Sequence, residues 1–268
     1  MSIAKKKSTN QDLVSLISRY KNKSVVSEIE KNLSTVKKSD YGLKSLYLSC
    51  FYDKEFYCLD SFPALEESIK RDGFLLPLVI SPGEEKGTFE IINGAKRFLF
   101  AEKLAMKTVP CVLTEIDSDR KIAYIIENIV EEGGCPLIKT HCFTQLTKLG
   151  YSPSTISKIS GLSLSQVKNL IRLNNLSDNL KKSLIEEKIH YGEARALLNL
   201  PTSTQNALLE EILEEGLSVR EIEARKRSFL GKQKKRTISL KGRMVQIRFE
   251  NEEEARTYYL KFKKELEN

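Results

Sequence analysis

The sequence contains no tryptophan, only two histidines, five cysteines and no long apolar run. So few histidines argue against a histidine-based catalytic centre. The cysteines are odd in number and never spaced Cys-x-x-Cys, and nothing completes a four-ligand zinc set around Cys135, His141 and Cys142. The longest apolar run, 74–80, is far shorter than the ~20 residues of a membrane helix. No apolar segment follows the basic start, so we expect a cytosolic protein without a cleaved secretory signal.

What the sequence has in abundance is charge, and the charge is unevenly distributed. The chain of 268 residues is 40% apolar and 30% charged with a net charge of +8, a composition typical of a globular protein. Residues 1–44 carry ten bases and four acids, whereas residues 45–130 carry ten bases and fourteen acids. Between Lys139 and Lys182 there are seven bases and one acid. Basic charge concentrated in segments favours a polyanionic partner such as nucleic acid, although a solvated basic surface would give the same count.

The pattern of strand and helix signals divides the chain into five segments. It predicts an α+β multidomain protein: a flexible basic arm with a short helix over 1–44, a small α/β domain over 45–133, an all-α domain over 134–228, a basic linker over 229–236 and a β-β-α module over 237–268. The β signals end at Gly133 and Gly134, after which only helical patterns follow. Because the last module is too small to bury a core alone, we expect it to pair with a second copy.

The sharpest local pattern, over residues 151–173, predicts a helix-turn-helix. Ser152 and Ser163 can each cap a helix, and Gly161 stands where the turn needs a positive φ angle. Val167 points back toward the core, which leaves the second helix free to enter a major groove. An ordinary helical hairpin remains the alternative.

In the DNA-binding interpretation, the polar side chains of the second helix meet the duplex. We expect base-edge or phosphate contacts from Ser163, Ser165, Gln166, Lys168 and Asn169, with Arg172 on the DNA backbone.

Several motifs follow one another in a fixed order along the chain. They are Gly73–Ile80, Phe89–Arg97, Glu127–Ile129, Pro136, the helix-turn-helix and Gly192–Leu197. In this order the chain resembles the ParB partition family over about 45–228. The resemblance implies a ParB-like N-terminal domain, a DNA-binding helix-turn-helix domain and a C-terminal dimerisation module, and it adds Arg195 to the expected DNA contacts.

The same resemblance implies a nucleotide site in the α/β domain, where family members bind CTP with Mg²⁺ and close a dimeric clamp on DNA. Gly94, Lys96 and Arg97 match the family's Gly-Glu-Arg-Arg motif. A helix that begins after Gly94 would offer free N–H groups to an anion. Glu127 and Asn128 match the pair that contacts triphosphate and metal, so the resemblance makes them the metal ligands.

Six positions depart from the family pattern. Lys96 keeps the charge of an arginine but loses its bidentate fork. Ala95 replaces a glutamate, Leu76 a glutamine and Leu164 an arginine on the recognition helix. Val130 and Glu131 stand where the family has glutamine and arginine, which removes a donor and reverses a charge near the expected triphosphate.

These observations together predict a site-specific DNA-binding dimer of plasmid or chromosome partition, acting at an inverted repeat with a ParA-type ATPase. We expect it to associate with the nucleoid or a plasmid and not with a membrane. A transcriptional repressor built from the same parts is the first alternative, and a neighbouring ParA-type gene would discriminate the two. A phosphotransferase or nuclease is the last, because no carboxylate cluster or nucleophile–base pair accompanies Glu127. No enzymatic activity is expected beyond the CTP hydrolysis that the resemblance allows.

Overall fold

The computed structural model describes residues 38–232, 237–241 and 244–248, together with 255, 256, 258–260, 262 and 263. The part of the expected arm over 1–37 and residues 233–236 of the linker lie outside the described residues.

The α/β half is built on one mixed five-stranded sheet. Its strands are β1 (Ser39–Gly42), β2 (Leu46–Leu48), β3 (Leu78–Pro82), β4 (Phe89–Asn93) and β5 (Thr108–Leu113), and its helices are α1 (Pro63–Asp72), α2 (Ala95–Lys103) and α3 (Ser118–Glu131). The strand order is β1-β5-β3-β4-β2. Strands β3 and β5 run parallel, as do β2 and β4, whereas β1 with β5 and β3 with β4 are antiparallel. The central strand β3 is apolar on both faces, as a strand covered on both sides must be.

The prediction that the flexible arm extends over 1–44 is wrong for residues 39–42, which form strand β1. Ser39 pairs with Cys111 and Gly42 with Thr108 in an antiparallel ladder, and the ring of Tyr41 packs 4.8 Å from that of Phe89, centroid to centroid. The α/β half therefore includes residues from 39 onward. The strand is polar, so its own pattern carries no strand signal and its stability comes from the pairing with β5.

The helical half follows the two glycines and has no strand between residues 134 and 232. It consists of α4 (Pro136–Lys148), α5 (Pro153–Ser160), α6 (Leu164–Arg172), α7 (Asp178–Ile185), α8 (Tyr191–Ala196), α9 (Thr202–Glu215) and α10 (Val219–Lys232). This confirms the predicted all-α domain. No helix within the described residues is long and apolar enough to cross a bilayer.

Helix α3 belongs to both halves through its packing. Its first turn is capped by Asp117, whose side chain accepts a hydrogen bond from the Arg120 N–H. Its apolar face, which includes Tyr124, Ile125 and Ile126, is fully buried. The helix packs on β4 on one side and on α4 and α5 on the other, so one hydrophobic core runs through both halves.

The C-terminal strands form where the pattern predicts them. Strands β6 (Thr237–Lys241) and β7 (Met244–Arg248) pair antiparallel with each other and form a separate two-stranded sheet. The described residues between 255 and 263 are helical, which agrees with the expected β-β-α order. The role of this segment in dimerisation stays a prediction.

Candidate DNA-binding and nucleotide-binding sites

The helix-turn-helix is held by local caps at both of its helices. Helix α5 begins after Ser152, whose Oγ accepts from the Thr155 N–H at 3.1 Å, and ends at Gly161 with φ 70°. Helix α6 begins with a capping box: Ser163 Oγ accepts from the Gln166 N–H at 3.2 Å, and Gln166 Oε1 accepts from the Ser163 N–H at 2.9 Å. These bonds satisfy the free N–H groups of the first turn, so the start of α6 is fixed in direction.

One face of α6 is anchored in the core and the other is exposed. Val167 and Leu170 are buried, and the Leu170 carbonyl accepts a hydrogen bond from Thr140 Oγ1 on α4 at 2.9 Å. Ser165 and Lys168 are exposed on the opposite side. Helix α6 therefore presents a polar face on a rigid support, which is what a recognition helix needs.

The predicted DNA-binding residues differ in how far they are already engaged. Lys168 makes no ion pair within the described residues, whereas Arg172 donates from Nη2 to Asn199 Oδ1 at 2.6 Å. Asn169 is half-buried, and Gln166 uses its Oε1 in the capping box. Arg195 is exposed near the end of α8, outside the helix-turn-helix. Asn199 was missed by the sequence analysis because its partner lies 27 residues away in the chain.

The start of α2 has the backbone geometry of an anion site. Gly94 precedes the helix at φ 97°, and no side chain caps the first turn. A Cβ at this position would lie 2.7 Å from Leu78 Cδ2, so only glycine fits. The uncapped N–H groups and the positive end of the helix suit a phosphate group.

The two predicted cations of this site are turned toward the protein. Lys96 Nζ lies 3.5 Å from Glu132 Oε1 and 3.9 Å from the centre of the Phe62 ring. Arg97 Nη1 donates to the backbone carbonyls of Leu76 and Pro77, both at 2.6 Å. Burial lowers the pKa of the Arg97 guanidinium from its usual value. Both side chains therefore already hold parts of the fold together.

The predicted metal ligands do not form a ready cation site. Asn128 Oδ1 accepts from Asn93 Nδ2 at 2.9 Å, and Asn128 Nδ2 donates to the Tyr124 carbonyl at 2.7 Å. Glu127 is half-buried beside it. Nowhere in the described part of the chain do three or more His, Cys, Asp or Glu side chains gather. A Mg²⁺ ion held here by Glu127 and Asn128 would therefore need phosphate oxygens and water as its remaining ligands.

A narrow crevice beside α2 contains residues that the motifs do not include. Phe62, Lys96 and Glu132 line it on the α/β side, and Cys135 and Ile138 line it on the helical side. Phe62 and Glu132 lie outside the motifs, so the sequence did not predict them as site residues. Glu132 directly follows Glu131, which departs from the family pattern, and this second acid could have indicated it.

Comparison with known proteins matches the two halves separately. The family model described as ParB N-terminal domain matches residues 44–129, and that described as ParB HTH domain matches residues 140–230. A probable chromosome-partitioning protein ParB of Helicobacter pylori is 32% identical over 194 residues, covering 71% of this chain and 66% of that protein. A nucleoid occlusion protein of Halalkalibacterium halodurans is 29% identical over 191 residues, covering 70% and 67%. The matches thus span about two thirds of these curated relatives.

One solved structure is also similar to this chain. It is the C-terminally truncated chromosome-partitioning protein ParB of Caulobacter crescentus complexed to the centromeric parS site, and it is 26% identical. The similarity covers 71% of this chain and 99% of that chain, with a TM-score of 0.43.

Proposed function

We propose, from the premise that this chain belongs to the ParB partition family, that it is a site-specific DNA-binding protein of chromosome or plasmid partition. The observation that carries the proposal is helix α6. It is capped at its start, anchored on α4 from behind and free of acidic residues from Leu164 to Arg172.

The polar face of α6 divides the expected contacts by position. Ser163 and Ser165 lie at the N-terminal end, which enters the major groove first in a helix-turn-helix and reads base edges. Lys168 and Arg172 follow one turn apart, where long cationic side chains reach phosphate oxygens. Gln166 and Asn169 add amide groups between these two sets, and Arg195 on α8 extends the basic surface beyond the helix.

A dimer is the second part of the proposal. The hairpin of β6 and β7 makes no sheet with the other strands that the structure describes, and Tyr259, Leu260 and Phe262 are exposed in the helix that follows. Exposed apolar residues on a segment too small to bury a core favour pairing with a second copy. Two DNA-binding halves related by a two-fold axis would read an inverted repeat, and the family resemblance names a ParA-type ATPase as the partner.

The nucleotide part of the proposal rests on the start of α2. The triphosphate of a nucleotide such as CTP would accept hydrogen bonds from the backbone N–H groups after Gly94. Lys96 would have to break its ion pair with Glu132 to contact the same phosphates. The role of Arg97 would be to hold the Leu76–Pro77 backbone beside the phosphate, since its Nη1 donates to both of those carbonyls. Bound CTP would supply the charged group that draws these elements together.

The DNA-binding proposal is tested by the salt dependence of binding. Lys168→Ala should weaken binding to a duplex that the wild-type chain protects in footprinting beside its own gene. The log–log salt slope should fall by about 0.9, because one phosphate contact is lost. Lys86→Ala, in the exposed turn between β3 and β4, is the control and should leave the slope unchanged. Unchanged affinity and slope in both Lys168→Ala and Arg172→Ala would remove α6 from the interface.

The nucleotide proposal is tested by calorimetry with CTP. The double substitution Val130→Gln with Glu131→Arg restores the family residues and should raise CTP affinity, because it replaces a like charge near the phosphates with a guanidinium. If neither the wild type nor this variant releases heat with CTP, the α2 site does not bind the nucleotide.

A further inference from the structure

The recognition helix α6 makes a hydrogen bond to a loop that no motif contains. Arg172, the last residue of α6, donates from Nη2 to Asn199 Oδ1 at 2.6 Å. Asn199 lies between α8 and α9, so the bond joins α6 to a different part of the helical half. Both residues are exposed, and the bond therefore forms at the surface where DNA is proposed to bind.

Asn199 stands on a backbone that is unusual and firmly held. Its φ angle is 68°, a left-handed conformation that asparagine tolerates better than most side chains. The residues on either side, Leu198 and Leu200, are buried, and the Leu200 carbonyl accepts from Gln205 Nε2 at 3.0 Å. The side chain of Asn199 therefore projects toward Arg172 from a fixed point.

The chemistry of the acceptor distinguishes this contact from other cation contacts of the helical half. Arg225 donates to the carboxylates of Glu211 and Glu215, and Lys188 pairs with Glu186 at 2.8 Å. A carboxylate neutralises the cation and repels phosphate, whereas the amide of Asn199 orients the guanidinium and leaves its charge intact. A guanidinium has five N–H donors, so one bond to Asn199 leaves others for a phosphate.

We propose that Asn199 is a positioning residue for DNA binding: it holds the Arg172 guanidinium at the end of α6 in the orientation that meets a DNA phosphate. The inference rests on the proposed DNA-binding function. The physical gain is preorganisation, because a long side chain fixed before binding loses less conformational freedom on contact. The loop after α8 thereby acts on the recognition helix without touching a base.

Asn199→Gly is the decisive variant, since glycine adopts the left-handed backbone freely and only the amide is lost. It should weaken binding to the footprinted duplex about two- to tenfold, the equivalent of fixing one rotamer-rich side chain. The salt slope should stay unchanged because the charge is kept, and thermal unfolding should match wild type. In an Arg172→Ala background the same substitution should have no further effect. Asn199→Asp should lose more affinity and flatten the slope by about 0.9, because it neutralises the guanidinium.

Two outcomes overturn the inference. Asn199→Gly leaves affinity unchanged, or it weakens binding by the same factor with and without Arg172. If Lys168→Ala flattens the slope in the same experiment, the DNA-binding function stands and only the positioning role is lost. If the wild type protects no fragment, the proposed function fails and this inference fails with it.

Discussion

In the α/β half, Arg97 and Asn128 make hydrogen bonds to other groups of the protein. In the helical half, by contrast, the side chains of Ser165 and Lys168 are exposed to solvent. Both halves match their family models, so the match alone does not separate a residue that holds the fold from one that is available to a ligand. The bonds around each side chain make that distinction. The charges agree with it, since residues 45–130 are net acidic and residues 139–182 are strongly basic.

The two helix-flanking glycines give the largest test of this contrast. Gly94→Ala should lower the free energy of unfolding by about 2–5 kcal/mol, because it adds a left-handed alanine and forces a Cβ onto Leu78. Gly161→Ala should cost only about 1–2 kcal/mol, since its φ of 70° carries the same strain while no atom lies within 4 Å of the added Cβ. Urea unfolding measures both, and equal losses would contradict the closer packing at α2.

Arg97 tests whether the motif cation is structural. Arg97→Ala should lower the free energy of unfolding by about 2–3 kcal/mol without any nucleotide, because two backbone carbonyls lose a charged donor. Lys70→Ala is the control and should cost less than about 0.5 kcal/mol, as its pair with Glu66 is an exposed contact within one helix. Should Arg97→Ala unfold like the wild type, its guanidinium is free for a ligand and the contrast between the halves weakens.

The smallest effect is a pH dependence that comes from one carboxylate of the α/β half. Hydrogen bonds from Lys70 and Lys103 lower the pKa of Glu66. The bond with Lys103 joins α1 to the end of α2. Because the pKa of Glu66 is lower in the folded state, its ionised form stabilises the fold at pH values above the unfolded-state pKa of about 4.3. This stabilisation is lost as the pH falls through the folded-state pKa. Glu66→Gln should therefore melt slightly below wild type at pH 7, and the gap should close below about pH 4. Glu67→Gln, exposed on the same helix, is the control; a gap independent of pH would exclude this ion pair as the cause.

Sequence reasoning succeeded where the determining contacts are local. The caps at Ser152 and Ser163 and the glycine turn at Gly161 lie within a few residues of what they bond, so the helix-turn-helix could be predicted closely. It failed at β1, whose polar residues become a strand only through pairing with β5, about seventy residues later.

The candidate sites show the same limit at the level of side chains. The residue types in the motifs indicated which side chains carry charge or can form hydrogen bonds. In the folded α/β half, the partners of these side chains are Asn93, the Leu76 carbonyl and Glu132. The bond between Arg172 and Asn199 joins the end of α6 to the loop after α8, and these two segments meet only after α7 and α8 have packed. Motif spacing carries no information about such meetings.

The shared packing of α3 determines where two proteins of this kind could be recombined. A chimera joined at Gly133 would require α3 of one parent to fit against α4 and α5 of the other, across a fully buried face that includes Ile125 and Ile126. A breakpoint in the loop 114–117 keeps α3 with its helical partners and leaves its contacts with β4 and the Lys96–Glu132 ion pair at its end to adapt. The transferable recognition cassette of this chain therefore begins before α3, upstream of the glycine pair that separates strand from helix signals in the sequence.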